Sequence, residues 1–186
     1  WSSDVCSSDL VDKAFVFINS ASPGDLGDST SGSYGWADVW HELGHAMGLK
    51  HPGNYDAGGG GGTEPFLPTT KDNHQYSIMS YMDNGNTKGA NNQSYMLYDV
   101  AALQYLYGVN ITGSTATNGT FKFSNTGTTL STIYSAKGTD KIDLTGITRA
   151  SVVNLNAGTF SSINQLKPNS TTNTSYSGNN NVTIAF

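Results

Sequence analysis

The run His41-Glu42-Leu43-Gly44-His45-Ala46-Met47-Gly48-Leu49-Lys50-His51 constrains this chain more than any other feature, because its chemistry requires one particular local fold. Residues four apart on an α-helix lie one above the other, so His41 and His45 can present two imidazoles to one ion. Gly48 is where that helix should stop, since glycine takes the left-handed conformation beyond a last turn at little steric cost. A chain reversed there can bring His51 back as a third nitrogen. Three protein ligands and an open position describe catalytic zinc, whereas structural zinc is usually closed by four ligands, commonly cysteines. The one cysteine, Cys6, can neither close such a site nor make an internal disulfide. Glu42, beside the first ligand, is placed to act as general base on a metal-activated water. A structural reading competes, because a histidine on a helix face is commonly a hydrogen-bonded core residue and H-E-x-x-H alone is a moderate signal. The five fixed positions together arise by accident on the order of less than once in a thousand chains of this length.

Around this motif the pattern predicts two helices. Ser33 is a fair N-cap for the first, in which Trp36, Val39, Trp40, Leu43 and Met47 are spaced as one buried stripe. Met96, Val100, Leu103 and Tyr107 carry the second, with Gly108 as its stop. Between them, residues 52–73 have no periodicity and contain a glycine run at 58–62, the mark of a long excursion with a functional role. Upstream, residues 14–18 read as a buried strand closed by a turn at 19–24. Residues 1–10 are out of character with the rest of the chain and resemble a peptide translated from sequencing-adapter DNA, a non-native leader that contributes nothing to the expected fold. Beyond residue 110 the chain becomes rich in Thr, Asn, Ser and Gly, with short strands expected at 120–123, 131–134, 141–144 and 152–155. A boundary near 110 therefore separates a helical part (11–110) from a β-rich part (111–186), an α+β organisation overall. No internal repeat is evident, and no Gly-Gly-x-Gly-x-Asp nonapeptide occurs.

Composition closes off other classes. Nine Lys and Arg against fourteen Asp and Glu give a net charge of -5, and the basic residues never cluster, which argues against a nucleic-acid partner. No apolar run approaches the roughly 20 residues of a membrane span, and the N-terminus lacks the pattern of a secretory signal. With 36% hydrophobic and 12% charged residues, the core must be modest and sheet-rich.

The extended motif is that of the metzincins, and three local features resemble the serralysin family. Pro52 follows His51 directly, Tyr76-Ser-Ile-Met-Ser-Tyr81 resembles the serralysin Met-turn, and Asp99-Val-Ala-Ala-Leu-Gln-Tyr-Leu-Tyr-Gly108 resembles the helix after it. The resemblance covers roughly residues 36–110. It implies the C-terminal part of a metzincin catalytic domain, with Met79 beneath the zinc and Tyr81 as an additional zinc ligand that can swing to the transition state. From the residues alone, Met79 is a plausible core residue and Tyr81 a half-buried aromatic whose hydroxyl could ligate a metal or donate to an oxyanion. His74 is expected at the surface or around the ligands, since the three-histidine set is complete without it. Residues 111–186 look like the beginning of the serralysin C-terminal β domain, of β-roll or sandwich type, which leads into calcium-binding repeats. Asp140 is the one carboxylate carried over for Ca2+; Ser135 and Lys137 stand where an acidic residue and a glycine would be expected.

The resemblance implies a secreted bacterial zinc endopeptidase with Zn2+ as cofactor, acting on proteins or peptides, with no membrane or nucleic-acid partner and a monomeric state. Glu42 would take a proton from the activated water and return it to the leaving amine, with Tyr81 assisting at the oxyanion. Two alternatives are a non-catalytic zinc-binding or adhesion module, disfavoured by the intact Glu42, and another metzincin such as a matrixin, disfavoured by Pro52 and Tyr81. Only about 30 residues (11–40) precede His41 apart from the leader, a shortfall against domain size, so the isolated chain is expected to fold poorly or be inactive.

Overall fold

In the computed structural model, the described residues are 14–16, 28, 30–56, 58–59, 61–83, 85–87, 89–112, 118–126, 128–165 and 178–185. Among them the order is α1 (Tyr34–Ala46), α2 (Leu97–Tyr107), β1 (Thr120–Lys122), β2 (Ser131–Ile133), β3 (Lys141–Asp143), β4 (Phe160–Ser161) and β5 (Val182–Ile184). Helix and strand are both present, as an α+β organisation requires. The leader at 1–10 and the turn at 19–24 lie outside the described residues, as do two residues of the strand expected at 14–18; residues 14–16 have no strand pairing.

Helix α1 starts where its sequence says. The Ser33 hydroxyl accepts from the Trp36 N–H at 3.1 Å, satisfying one of the amides left open by the first turn. It ends in a Schellman motif: Gly48 N–H donates to His45 C=O and Leu49 N–H to Gly44 C=O, both at 2.9 Å, with Gly48 at φ +88°. The predicted stripe, however, is not the buried one. Leu43 is 41% exposed and Trp36, Val39, Trp40 and Met47 are only partly covered, while the buried residues are Gly35, His41 and Gly44. The reason is close approach: a Cβ on Gly44 would stand 2.5 Å from Met79 Sδ, so the helix comes nearest its neighbour through its glycine, with Trp40 packed beside that contact.

Helix α2 is anchored at its N-terminus by Asp99, whose carboxylate takes the Met96 N–H at 2.8 Å, a capping reach-back from the third helical position. Leu49, Ile78 and Met79 form a buried cluster between the helices, covered by Trp40, Tyr95, Ala102 and Leu103. Tyr95 donates to the Trp40 C=O and Tyr107 to the Met47 C=O, tying α1 to the region of α2.

In the β-rich part, β1 to β4 alternate between two sheets and β5 joins the sheet of β2 and β4. β1 pairs with β3 in parallel, with Thr120 opposite Lys141; β2 pairs in parallel with β5, which pairs antiparallel with β4. Ile133, Ile163 and Val182 are buried together, with Phe121, Phe123, Ile142 and Leu144 packed over them. β5 lies centrally in its sheet, so both its edges are paired, and Val182 and Thr183 are fully buried; Thr183 shares a 2.6 Å hydroxyl contact with Thr132 across the pair. Three of the four predicted strands form, each one residue shorter than expected. The fourth, at 152–155, does not: only Val152 bridges to Ser162, and Val152 and Leu155 are 62% and 71% exposed. The Ser161 hydroxyl accepts from the Asn154 N–H and donates to the Asn154 C=O, so a side chain takes the place of the ladder there. A buried cluster of Ala90, Met96 and Leu130 crosses from the helical to the β-rich residues.

Candidate metal centre

The Schellman turn at Gly48 does what the motif requires, and His41, His45 and His51 each offer one nitrogen within 4.8 Å of the others. Nε2 of His51 lies 3.1 Å from Nε2 of His41 and 3.1 Å from Nε2 of His45. The other ring nitrogens all face backbone carbonyls: His41 Nδ1 at Ile78 O (2.9 Å), His45 Nδ1 at Leu49 O (2.9 Å) and His51 Nδ1 at Tyr55 O (3.0 Å). A carbonyl can only accept, so each neutral ring carries its proton on Nδ1 and turns an Nε2 lone pair inward.

Three lone pairs facing one another repel unless a cation lies among them. Nitrogens about 2.05 Å from a tetrahedral ion stand about 3.3 Å apart, close to the spacing here. The residues present therefore fit a zinc ion, and the carbonyl partners are the outer contacts that hold histidine ligands in one tautomer and one orientation. Burial, the largest cause, pushes His41 down to about 4; the neighbouring His45 and His51 add to this and the Ile78 carbonyl opposes it. His41 is thus neutral and free to bind metal at neutral pH.

Each partner carbonyl belongs to a different piece of the chain. Leu49 is supplied by the turn after α1 and Tyr55 by the excursion beyond His51. Ile78 belongs to the turn at 76–81, which is held by Asp99: its carboxylate accepts from the Ser77 hydroxyl at 2.6 Å and the Ile78 N–H at 2.7 Å, in addition to the Met96 N–H. Complete burial outweighs these three donors and raises Asp99 to about 6. Met79 is 1% exposed, with its sulfur against Gly44 between the two helical histidines.

The structure brings most of the sequence-predicted site residues into one place. Glu42 is half-buried on α1, one residue from His41 and about 60° around the helix from His45. Tyr81, 44% exposed, stacks against His41 (centroids 5.7 Å apart) and lies against His51 (4.6 Å). His74 is not among the converging histidines, though its charge adds to the lowering of His41: its N–H donates to Met82 C=O and its Nδ1 lies 3.3 Å from Asp83 Oδ1. Asp140 is elsewhere, in the β-rich part, accepting from the Gly119 N–H at 2.7 Å; the Ser135 hydroxyl first and that amide second hold it below its usual range.

Four residues of the site escape the sequence reading. Gly44 and Asp99 carry recoverable signals, a small residue between two ligands and an acid at the third position of a helix. Tyr55 and Asp72 carry none, being 17 positions apart in an aperiodic segment and joined only by folding, through a 2.5 Å bond from the Tyr55 hydroxyl to Asp72 Oδ1.

No protein-family model matches the chain. Among curated proteins it is 37% identical to Serralysin C of Dickeya chrysanthemi over 154 residues, 75% of this chain and 32% of that protein. Serralysin of Proteus mirabilis is 34% identical over 155 residues (74% and 31%), and Metallopeptidase AprA of Pseudomonas marginalis 34% over 179 residues (83% and 36%). The chain spans about a third of the length of these relatives.

Proposed function

We propose, from the premise that this chain is a serralysin-like metzincin segment, that it supplies the zinc-binding half of an endopeptidase active site. The observation that carries the reading is the set of three imidazoles whose Nδ1 protons are committed to carbonyls and whose Nε2 lone pairs converge. When bound there, zinc supplies Lewis acidity, lowering the pKa of a water and polarising a carbonyl.

The chain's own residues supply the rest. Glu42 takes a proton from the attacking water and passes it to the leaving amine nitrogen, an exchange that suits a carboxylate beside the ligand set. Tyr81 donates its phenolic proton as a hydrogen bond to the oxyanion that develops on the scissile carbonyl, and its exposure lets it reach substrate. His41, His45 and His51 hold position through the backbone, and Met79 supports them by filling the space a side chain at Gly44 would occupy. Proteins or peptides are the substrate class, for an enzyme that acts as a monomer without nucleic acid or membrane.

Residues 11–110 are the C-terminal part of the catalytic domain in this reading, and 111–186 begin a serralysin-type β domain of roll or sandwich form. The alternation of β1 to β4 between two sheets supports it. Ca2+ is carried from the resemblance, with Asp140 as its carboxylate. The protein is read as secreted by a bacterium; no helix among the described residues is long and apolar enough to cross a membrane.

The test uses the longest product of the gene encoding this segment, zinc-loaded, with a denatured protein as substrate. Glu42→Ala should keep its zinc and lose at least about 100-fold in cleavage rate. Equal cleavage by both would remove Glu42 as the base, and zinc binding without cleavage in either would favour the non-catalytic binding module.

A further inference from the structure

Tyr55 lies outside the histidine motif and the Met-turn, yet it touches both. Its backbone carbonyl is the acceptor for His51 Nδ1 at 3.0 Å, and its ring lies against His51 at 5.6 Å and stacks on Tyr81 at 4.9 Å with a 28° tilt. Its hydroxyl is fixed by donor arithmetic. Asp72 Oδ1 is 2.5 Å from the Tyr55 oxygen and 2.7 Å from Ser80 Oγ, and a carboxylate only accepts, so both hydroxyl protons point to it. The lone pairs left on the Tyr55 oxygen then receive the Tyr81 N–H at 3.3 Å. Ser80 Oγ in turn accepts from the Met82 N–H at 3.1 Å. Asp72 thereby orders the backbone on both sides of Tyr81 through two hydroxyls.

The glycines of the excursion fit this arrangement. A Cβ on Gly53 would stand 2.2 Å from the Tyr55 ring and 2.3 Å from Asp72 Oδ2, so that position carries no side chain because Tyr55 and Asp72 meet over it. The segment is closed on itself by Leu67 N–H donating to Pro52 C=O at 2.8 Å.

We infer that Tyr55, ordered by Asp72, is a positioning residue that sets the third metal ligand and Tyr81 together, so that the excursion after His51 governs both metal affinity and the placement of the Tyr81 phenol. The inference rests on the zinc reading of the three histidines. Tyr55 acts through His51 and Tyr81 and needs no contact with substrate.

Tyr55→Phe is the discriminating variant, because it keeps the ring and the backbone carbonyl and removes only the hydroxyl. Asp72→Asn and the double variant complete a cycle. In each full chain the readouts are zinc affinity against a competing chelator, the visible absorption of the Co2+-loaded site, and the thermal midpoint of the metal-free protein. Tyr55→Phe should bind one zinc about 10-fold more weakly and alter the Co2+ spectrum. The double variant should be no weaker than the weaker single one, because the two residues act as a unit. A purely structural role would lower the metal-free midpoint and leave the Co2+ spectrum unchanged, which would overturn the inference, as would a Tyr55→Phe affinity within twofold of the parent. If Tyr55→Phe does not fold, Asp72→Asn is read by the same two criteria. Failure of the unaltered chain to bind zinc would instead strike at the metal-site reading itself.

Discussion

Replacing Asp99 by alanine unties the turn at 76–81 from the start of α2, and the cost can be worked from its contacts. Three donors lose their acceptor: the Ser77 hydroxyl and the N–H groups of Ile78 and Met96, all on residues no more than 3% exposed. At about 2 kcal/mol for each buried donor left unpaired, the gross loss is about 6 kcal/mol. Against this stands the cost of the ionised carboxylate in a fully buried place. Its pKa rises from 3.8 to about 6, roughly two units, which is worth about 3 kcal/mol at neutral pH. The net expectation for Asp99→Ala is therefore about 3 kcal/mol of lost stability, or roughly 6–12 °C in thermal midpoint for a chain of this size. Urea unfolding of the metal-free chain, followed by tryptophan fluorescence, measures it. Zinc affinity should fall as well, because the Ile78 carbonyl that orients His41 is held by this carboxylate. A loss below about 1 kcal/mol would refute the reasoning, since it would mean that the three donors find other partners.

The same carboxyl makes a pH prediction. Its folded pKa lies above its unfolded value, so the folded state holds the proton more tightly; the associated stability is complete below about pH 4 and is lost as pH rises through about 6. The advantage of the parent over Asp99→Ala should accordingly shrink between pH 4.5 and 8, by about 2 kcal/mol, in paired denaturation curves; an advantage that grows with pH would reverse the sign. Gly44→Ala places a methyl 2.5 Å from Met79 Sδ and should cost about 1–3 kcal/mol in denaturant unfolding, with no cost if Met79 repacks freely. Leu155→Ser, at a 71% exposed position, should change stability by less than about 0.5 kcal/mol, whereas a true strand at 152–155 would make it costly.

How much of the molecule was legible depends on which interactions are local. The spacing of His41, His45 and His51, the Ser33 cap and the Gly48 stop all act within a few residues, and the sequence reading places them correctly. The short strands at 120, 131 and 141 were legible for the same reason, as β-branched and aromatic runs between turn residues. The buried face of α1 was not, because helical periodicity describes bulky side chains and this helix approaches its neighbour through Gly44, where the decisive atom belongs to Met79, 35 positions away. Residues 152–155 failed as a strand because Ser161 satisfies the Asn154 backbone with its own hydroxyl, a choice the alternation of apolar residues does not record. The Tyr55–Asp72 link is invisible for a third reason: a tyrosine and an aspartate in an aperiodic loop have no pattern until folding joins them.

Zinc per chain, by elemental analysis after equilibration with trace zinc and removal of the excess, tests the central claim most directly when the parent is compared with His45→Ala. The account predicts about one zinc held by the parent and none retained by the variant, because two of three converging nitrogens do not make a tight site. Equal zinc in both, whether one or none, would contradict a three-histidine centre in this chain.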